Sequence, residues 1–144
     1  MASGDFILSI SETPVAEVEK SLAPSTTHGA DLRFRGVVRD LEDGRAIDGI
    51  DYSCYREMAE TELAAIAEAM RAAHPDHRAD IHHRVGFVAA GEASLLIRVQ
   101  TKHSAAAFEI AQEYLKRIKT TLPVWKNPVF SPAGEQSDCE KQFG

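Results

Sequence analysis

"REMAETELAAIAEAMRAAH", Arg56 to His74, is the clearest periodic stretch of the chain. Ala59, Leu63, Ile66, Met70 and Ala73 recur at alternating spacings of four and three, which puts them on one face of a helix. "HPDHR" closes that helix, with His74 and His77 expected in solvent at the turn. Just before it, "AIDGIDYSCY" sets Ile50, Tyr52 and Cys54 in strand phase. Just after it come two strands, Asp80–Ala89 and Ser94–Lys102, joined by "AGEA" as a hairpin. A helix set between strands that neighbour one another as hairpins predicts an α+β fold with a largely antiparallel sheet.

Working outward toward the N-terminus, "DLRFRGVVRD" alternates Leu32, Phe34, Gly36 and Val38 against Arg33, Arg35, Val37 and Arg39. Gly36 inside a strand marks a bulge or a close backbone approach. "LEDGR" is a turn. "DFILSI" is a short strand, and Thr13-Pro14 reads as an N-cap followed by proline at the first helical position, with Val15, Val18 and Leu22 on one face. Toward the C-terminus a third helix runs from about Ser104 to Leu122, its buried stripe being Phe108, Ala111, Leu115, Ile118 and Leu122. Ser104 is the expected N-cap, and Pro123 stops the helix because the residue before a proline is pushed out of helical geometry. Residues 1–128 are read as one domain, and 129–144, rich in Ser, Pro, Gly and charge, as a flexible tail.

The chain has 144 residues, 44% hydrophobic and 26% charged, the balance of a soluble globular domain. The N-terminus lacks a basic n-region, no segment reaches a membrane span, and the two cysteines, Cys54 and Cys139, form no C-x-x-C pair. A cytoplasmic protein is expected. The net charge of −6 excludes a general nucleic-acid binder. Positive charge is nevertheless concentrated: six Lys/Arg stand against two Glu between Arg98 and Lys126, and Arg33, Arg35 and Arg39 form a second set. A confined basic cluster on an acidic chain suits a small anionic ligand; the alternative is two solvated faces.

Lys119 and Lys126 bracket the helix stop in "RIKTTLPVWKNP". Lys119 follows Leu115 by four residues, at the edge of the expected stripe, where a lysine either snorkels to water or serves a partly enclosed site. Lys126 either folds back toward the helix end or complements its C-terminal dipole. His103 stands at a strand-to-helix junction, a place that receives anions. His82 and His83 are adjacent in a strand and face opposite sides, so they do not share a metal, and no zinc-binding pattern is present. No phosphate-cradling loop, dinucleotide fingerprint or Ser-His-Asp order occurs.

Five segments, "FRGVVR" (34–39), "YREMAETELAAI" (55–66), "IHHRVGFVAAGE" (81–92), "VQTKHSAAAFE" (99–109) and "LKRIKTTLPVWK" (115–126), together resemble the large, catalytic subunit of molybdopterin synthase, the MoaE family. They follow the family order and spacing over about Asp5 to Lys126. The resemblance implies an α/β-hammerhead fold with three main helices. It also implies a sulfurtransferase that turns cyclic pyranopterin monophosphate (precursor Z) into molybdopterin. The sulfur arrives as the C-terminal thiocarboxylate of a ubiquitin-like small subunit, with no separate metal or organic cofactor. The implied assembly is a homodimer within a heterotetramer.

By the same resemblance Lys119 and Lys126 are the catalytic pair, Arg39 and His103 bind the anionic substrate, and Phe34 and Pro123 line the pocket. His83-Arg84 matches a recurrent strand pair without an assigned role. The chain departs from the family pattern at Ser104, where an arginine is common, at Asn127-Pro128, where an acidic residue follows the lysine, and after Gly134, where a tryptophan is usual. These departures motivate a second reading, a non-catalytic scaffold that keeps the fold and the partner groove.

Overall fold

The computed structural model describes residues 6–132. β1 (Ile7–Ser11) and α1 (Val15–Lys20) are followed by β2 (Ala30–Val37), the short β3 (Leu41–Glu42) and β4 (Arg45–Cys54). Then come α2 (Arg56–Ala73), β5 (Arg78–Arg84), β6 (Gly86–Ala89), β7 (Ala93–Thr101), α3 (Ser104–Thr121) and β8 (Val124–Phe130). One sheet has the order β1-β5-β7-β2, parallel only between β1 and β5. In the other, β4 is paired antiparallel by β3, β6 and β8. The α+β, largely antiparallel expectation is met, but by two sheets.

The stretch Asp80–Ala89 is the point of division. It is not one strand: β5 pairs with β1 and β7, whereas β6 pairs with β4. Gly86 between them has φ 81°, a left-handed conformation open to glycine and strained for other residues. A Cβ there would also meet the Glu12 side chain at 3.3 Å. The Asp43-Gly44 turn uses positive φ at both residues, the pairing that closes a two-residue hairpin. The bulge expected at Gly36 is present as a register shift between Gly36 and Val37.

α2 buries Ala59, Leu63, Ile66, Ala67 and Met70, close to the expected stripe, though Ala73 lies exposed at its last turn. α3 is rotated from its expected face. It buries Ala107, Ile110, Ala111, Tyr114 and Ile118, while Phe108 is 64% exposed. α2 and α3 cover one face of the first sheet and α1 the other, where Val15, Leu22 and Leu96 form a small second cluster. β7 is thus sandwiched, which is why "SLLIRVQ" carries almost no alternation. At α1 the N-cap is Pro14, not Thr13: the Pro14 carbonyl accepts the N–H groups of Glu17 and Val18. Likewise His103, not Ser104, is the N-cap of α3. Val129 and Phe130, assigned above to the tail, belong to β8, and Arg45 stacks on the Phe130 ring at 3.9 Å. The remainder of the expected tail, 133–144, lies outside the described residues.

Burial on both faces of β7 leaves Arg98 1% exposed, and its charge is met from all sides. Its guanidinium donates to Asp31 (2.9 Å), to Asp80 (3.3 Å) and to the Ala23 carbonyl (2.6 Å). Burial alone would raise the Asp31 carboxyl, but Arg98 and Arg33 outweigh it and hold the group below its ordinary value. Arg98 is therefore structural and unavailable to a ligand. His77 corrects another expectation. It is 7% exposed: its Nδ1–H donates to the His74 carbonyl and its Nε2 accepts from the Tyr114 hydroxyl at 2.6 Å. His74, half-buried, reaches Glu113 at 3.2 Å.

Replacing Arg98 with Met should cost about 3–5 kcal/mol, because Asp80 then keeps a buried charge with one cation fewer. Urea unfolding of Arg98→Met beside Arg33→Met, whose cation is half-exposed, should show the larger loss for Arg98. Burial also lowers His77, His82 and His83 from the ordinary value of 6.5. The unfolded chain therefore binds protons first, and stability is full above 6.5 and declines as pH falls below it. Thermal melts between about pH 8 and about pH 5 should show the midpoint dropping on the acid side.

Candidate functional site

Where the two sheets diverge, the C-terminal end of α3 closes a cavity of about 480 Å³. β2 contributes Phe34, Gly36 and Val37, β4 Tyr52, β5 His83, and β7 Ser94 and Leu95. Leu115, Ile118, Lys119 and Leu122 line it from α3 and the residue after it, at the spacing of one helical face. Leu122 is extended (φ −74°, ψ 123°) ahead of Pro123, so the chain leaves the helix and enters β8 at once. In β8 alternate residues point the same way, so Val124 and Lys126 face the cavity while Trp125 faces outward against Tyr55, ring centroids 5.9 Å apart. Lys126 stands directly across from Tyr52 in the β4–β8 register.

The two lysines singled out in the sequence thus border one cavity, together with Phe34. Pro123 does not line it; its part is to end the helix. Arg39 is exposed in the loop after β2, away from this cavity. His103 lies on a second cavity of about 340 Å³, beside His74, His77 and Lys102. The structure therefore brings together Lys119, Lys126 and Phe34 and leaves Arg39 and His103 apart from them.

Tyr52, His83 and Ser94 were not marked as site residues by sequence reasoning. Tyr52 alternates in phase with Ile50 and Cys54 and so reads as plain core, and Cys54 does pack against that core. Burial raises the Tyr52 phenol, opposed by the hydrogen bond with Ser94. Burial lowers the His83 imidazole, opposed by its bond to the Arg84 carbonyl, and its ring meets Tyr52 edge-on at 5.4 Å. His83 is neutral at pH 7. The adjacent-histidine argument did locate it: His82 turns to the opposite side, toward Ser9 and Thr13.

Charge pairing leaves the cavity lysines among the unpaired cations of the two basic sets, the others among the described residues being Arg39, Lys102 and Lys116. Arg33 and Arg35 pair with Glu19, Arg117 with Glu113, and Arg98 with two aspartates. Among the described residues Lys119 and Lys126 have no carboxylate within 4.0 Å, so their charges are left for a ligand. No group of three or more His, Cys, Asp or Glu able to hold a metal occurs among the described residues. Two ammonium groups, a neutral imidazole and a phenol over apolar walls suit an anionic group carried on an apolar or extended chain. "NP" also has a local reading. Asn127 Nδ2 donates to the Asp51 carbonyl at 3.2 Å, and β8 pairs on one side only, where proline is tolerated.

The MoaE protein family model matches residues 9–121. The chain is 31% identical over 140 residues to the molybdopterin synthase catalytic subunit of Bos taurus, covering 97% of this chain and 74% of that one. It is 38% identical over 102 residues to the protein of the same name from Oryza sativa subsp. indica, covering 71% of this chain. It spans only 53% of that rice protein, about half its length. Among solved structures, molybdopterin synthase from Staphylococcus aureus superposes with a TM-score of 0.77 at 27% identity, covering 88% of this chain and 92% of that one. A complex of subunits 1 and 2 of molybdopterin-converting factor from Helicobacter pylori shares the fold, with a TM-score of 0.69 at 22% identity over 87% of this chain and 90% of that one.

If the cavity selects anions through its lysines, inorganic phosphate should protect both from acylation. Peptide mass spectrometry should show labelling of Lys119 and Lys126 falling with added phosphate while Lys116, exposed as they are but outside the cavity, is unaffected.

Proposed function

The chain belongs to the MoaE protein family, and on that premise we propose that it is the catalytic subunit of a molybdopterin synthase. It transfers sulfur from the thiocarboxylated C-terminus of a ubiquitin-like small subunit to precursor Z, forming the dithiolene of molybdopterin. The observation that carries the reading is the convergence of Lys119 and Lys126, both without carboxylate partners among the described residues, on one cavity. A thiocarboxylate and a cyclic phosphate are both anions, and two ammonium groups offset the repulsion of bringing them together. The thiocarboxylate sulfur bonds to a carbon of the pterin side chain as a C–O bond at that carbon breaks, its oxygen leaving on the phosphate or as water; the acyl C–S bond is then cleaved by water or, transiently, by a lysine amine. Lys119 does this chemistry and Lys126 positions charge; Phe34 shapes the wall and Pro123 sets the angle between helix and strand. The transfer uses no separate metal or organic cofactor.

Arg39 and His103 lie outside the cavity of their own chain, so their part as substrate-binding residues falls to the homodimer within the heterotetramer, where a neighbouring copy adds surface. Among the described residues no helix is long and apolar enough to cross a membrane; work in the cytoplasm is part of the proposal. A second reading, a scaffold that binds the small subunit without turnover, is motivated by that same separation and by Ser104.

Purified protein mixed with thiocarboxylated small subunit and precursor Z should form molybdopterin. Lys119→Ala should lower the single-turnover rate by about 100-fold or more, the scale of a lost acid–base or nucleophilic group, while still binding the small subunit. Lys126→Ala should weaken substrate binding more than the chemical step. A stable complex without product from the wild-type chain would replace the catalytic reading by the scaffold.

A further inference from the structure

Three buried imidazoles have their tautomers fixed by carbonyl acceptors, and only one has a nitrogen left to use. His77 donates from Nδ1 to the His74 carbonyl and accepts at Nε2 from Tyr114. His82 donates from Nε2 to the Thr13 carbonyl at 2.8 Å and accepts at Nδ1 from the Ser9 hydroxyl at 2.7 Å. His83 donates from Nδ1 to the Arg84 carbonyl at 2.9 Å. A carbonyl only accepts, so the proton is on Nδ1 and the lone pair on Nε2. No protein group meets that Nε2 among the described residues. It is not sealed away either, since the one fully buried side-chain polar atom left without a partner among them is Arg84 Nε. His83 lines the cavity, so its spare lone pair opens there.

An ammonium has three donors and no lone pair; a lysine in this cavity becomes a base or nucleophile only after losing a proton. We propose that His83 is the proton acceptor for the cavity lysines, its Nε2 taking a proton from Lys119 or Lys126 directly or through one water. This rests on the reading of the cavity as a sulfur-transfer site. In the step an Nζ–H bond breaks and an Nε2–H bond forms, leaving a neutral amine beside an imidazolium, which then yields the proton to water at the cavity mouth. The geometry suits it. Lys126 sits across from Tyr52 in register, and the Tyr52 ring packs edge-on against His83. The ionisable groups that line the cavity with His83 are Tyr52 from β4, Lys119 from α3 and Lys126 from β8; His82, turned to the opposite side, and Arg84 are its neighbours on its own strand. Its neighbours in register on β1 and β7, Ile10 and Leu95, carry no charge. Burial keeps the imidazole neutral with its Nε2 lone pair unprotonated, and the same burial disfavours the imidazolium, so the proton passes on to water.

Lysine acetylation by an acylating reagent reads this without turnover, using exposed Lys116 as the internal reference. His83→Gln, which keeps polarity but accepts no proton, should slow acetylation of at least one cavity lysine about tenfold or more and cut single-turnover product formation by about 100-fold. His83→Asn, which keeps a donor toward the Arg84 carbonyl, should behave the same, and melting curves check that both fold. Free imidazole should restore labelling in His83→Ala. Nitrogen-15 spectra of the wild-type protein should show a bare Nε2 at neutral pH. Unchanged labelling of both lysines in the His83 variants, or a protonated Nε2 in the wild type, overturns the proposal. If wild-type protein makes product while the variants label normally, His83 fails and the synthase reading stands. If labelling falls but no protein makes product, the synthase reading fails and the proton coupling stands.

Discussion

The chain has to leave one sheet and enter the other within the three residues Arg84, Val85 and Gly86, and the rest of the architecture depends on that step. Gly86 supplies the left-handed conformation that makes it possible, and the Val85 N–H donates to the Ser11 carbonyl at 2.9 Å to hold the corner. Because β5 and β6 then belong to different sheets, space is left between the sheets that neither fills. His83, the residue before the corner, is turned into that space, and Tyr52 of the second sheet meets it from the other side. A continuous strand would have carried β6 alongside β7 and removed the cavity.

The helix stop at Pro123 is the complementary constraint. A helix continued past Pro123 would put Lys126 about two turns, roughly 10 Å, farther along the α3 axis from Lys119; an extended residue at 122 instead starts β8, which pairs with β4 from Val124 onward. Lys119 and Lys126 are brought to one cavity by two different periodicities, 3.6 on the helix and 2 on the strand. Charge pairing then decides which cations matter. Carboxylates occupy Arg33, Arg35, Arg98 and Arg117, and of the cations left over among the described residues of the two basic sets only Lys119 and Lys126 face the cavity. Burying Arg98 and Asp80 together is a costly arrangement, and it is what lets β7 be covered on both faces.

Much of this was legible residue by residue. The α2 stripe, the alternation of β2, the bulge at Gly36, the Asp-Gly turn and the stop at Pro123 follow from local sterics, which act over a few residues and leave their mark in the sequence. The misreadings share a cause. Phe108 was assigned to the core because it is large and apolar in nearly the right phase, yet Ala107 and Tyr114 face the sheet, and only the packing partner selects between two such faces. His77 was placed in solvent because it sits in a turn, and Tyr114, 37 residues away, buries it. β8 was missed because Pro128 and the polar residues around it argue against a strand, whereas an edge position tolerates them.

The sequence by itself determined the α+β class, the helices, the turn glycines and proline, and, through its resemblance to the MoaE family, it pointed to Lys119 and Lys126. All of these are fixed by short-range geometry or carried by residue identity in register. The tertiary structure alone decided that Asp80–Ala89 splits between two sheets, that Arg33, Arg35, Arg98 and Arg117 are paired with carboxylates, and that His83 alone among the three buried histidines with fixed tautomers keeps a free nitrogen. Each of those depends on which distant groups arrive alongside, and hydrogen bonds and ion pairs between residues some twenty to eighty positions apart leave no local pattern in the chain.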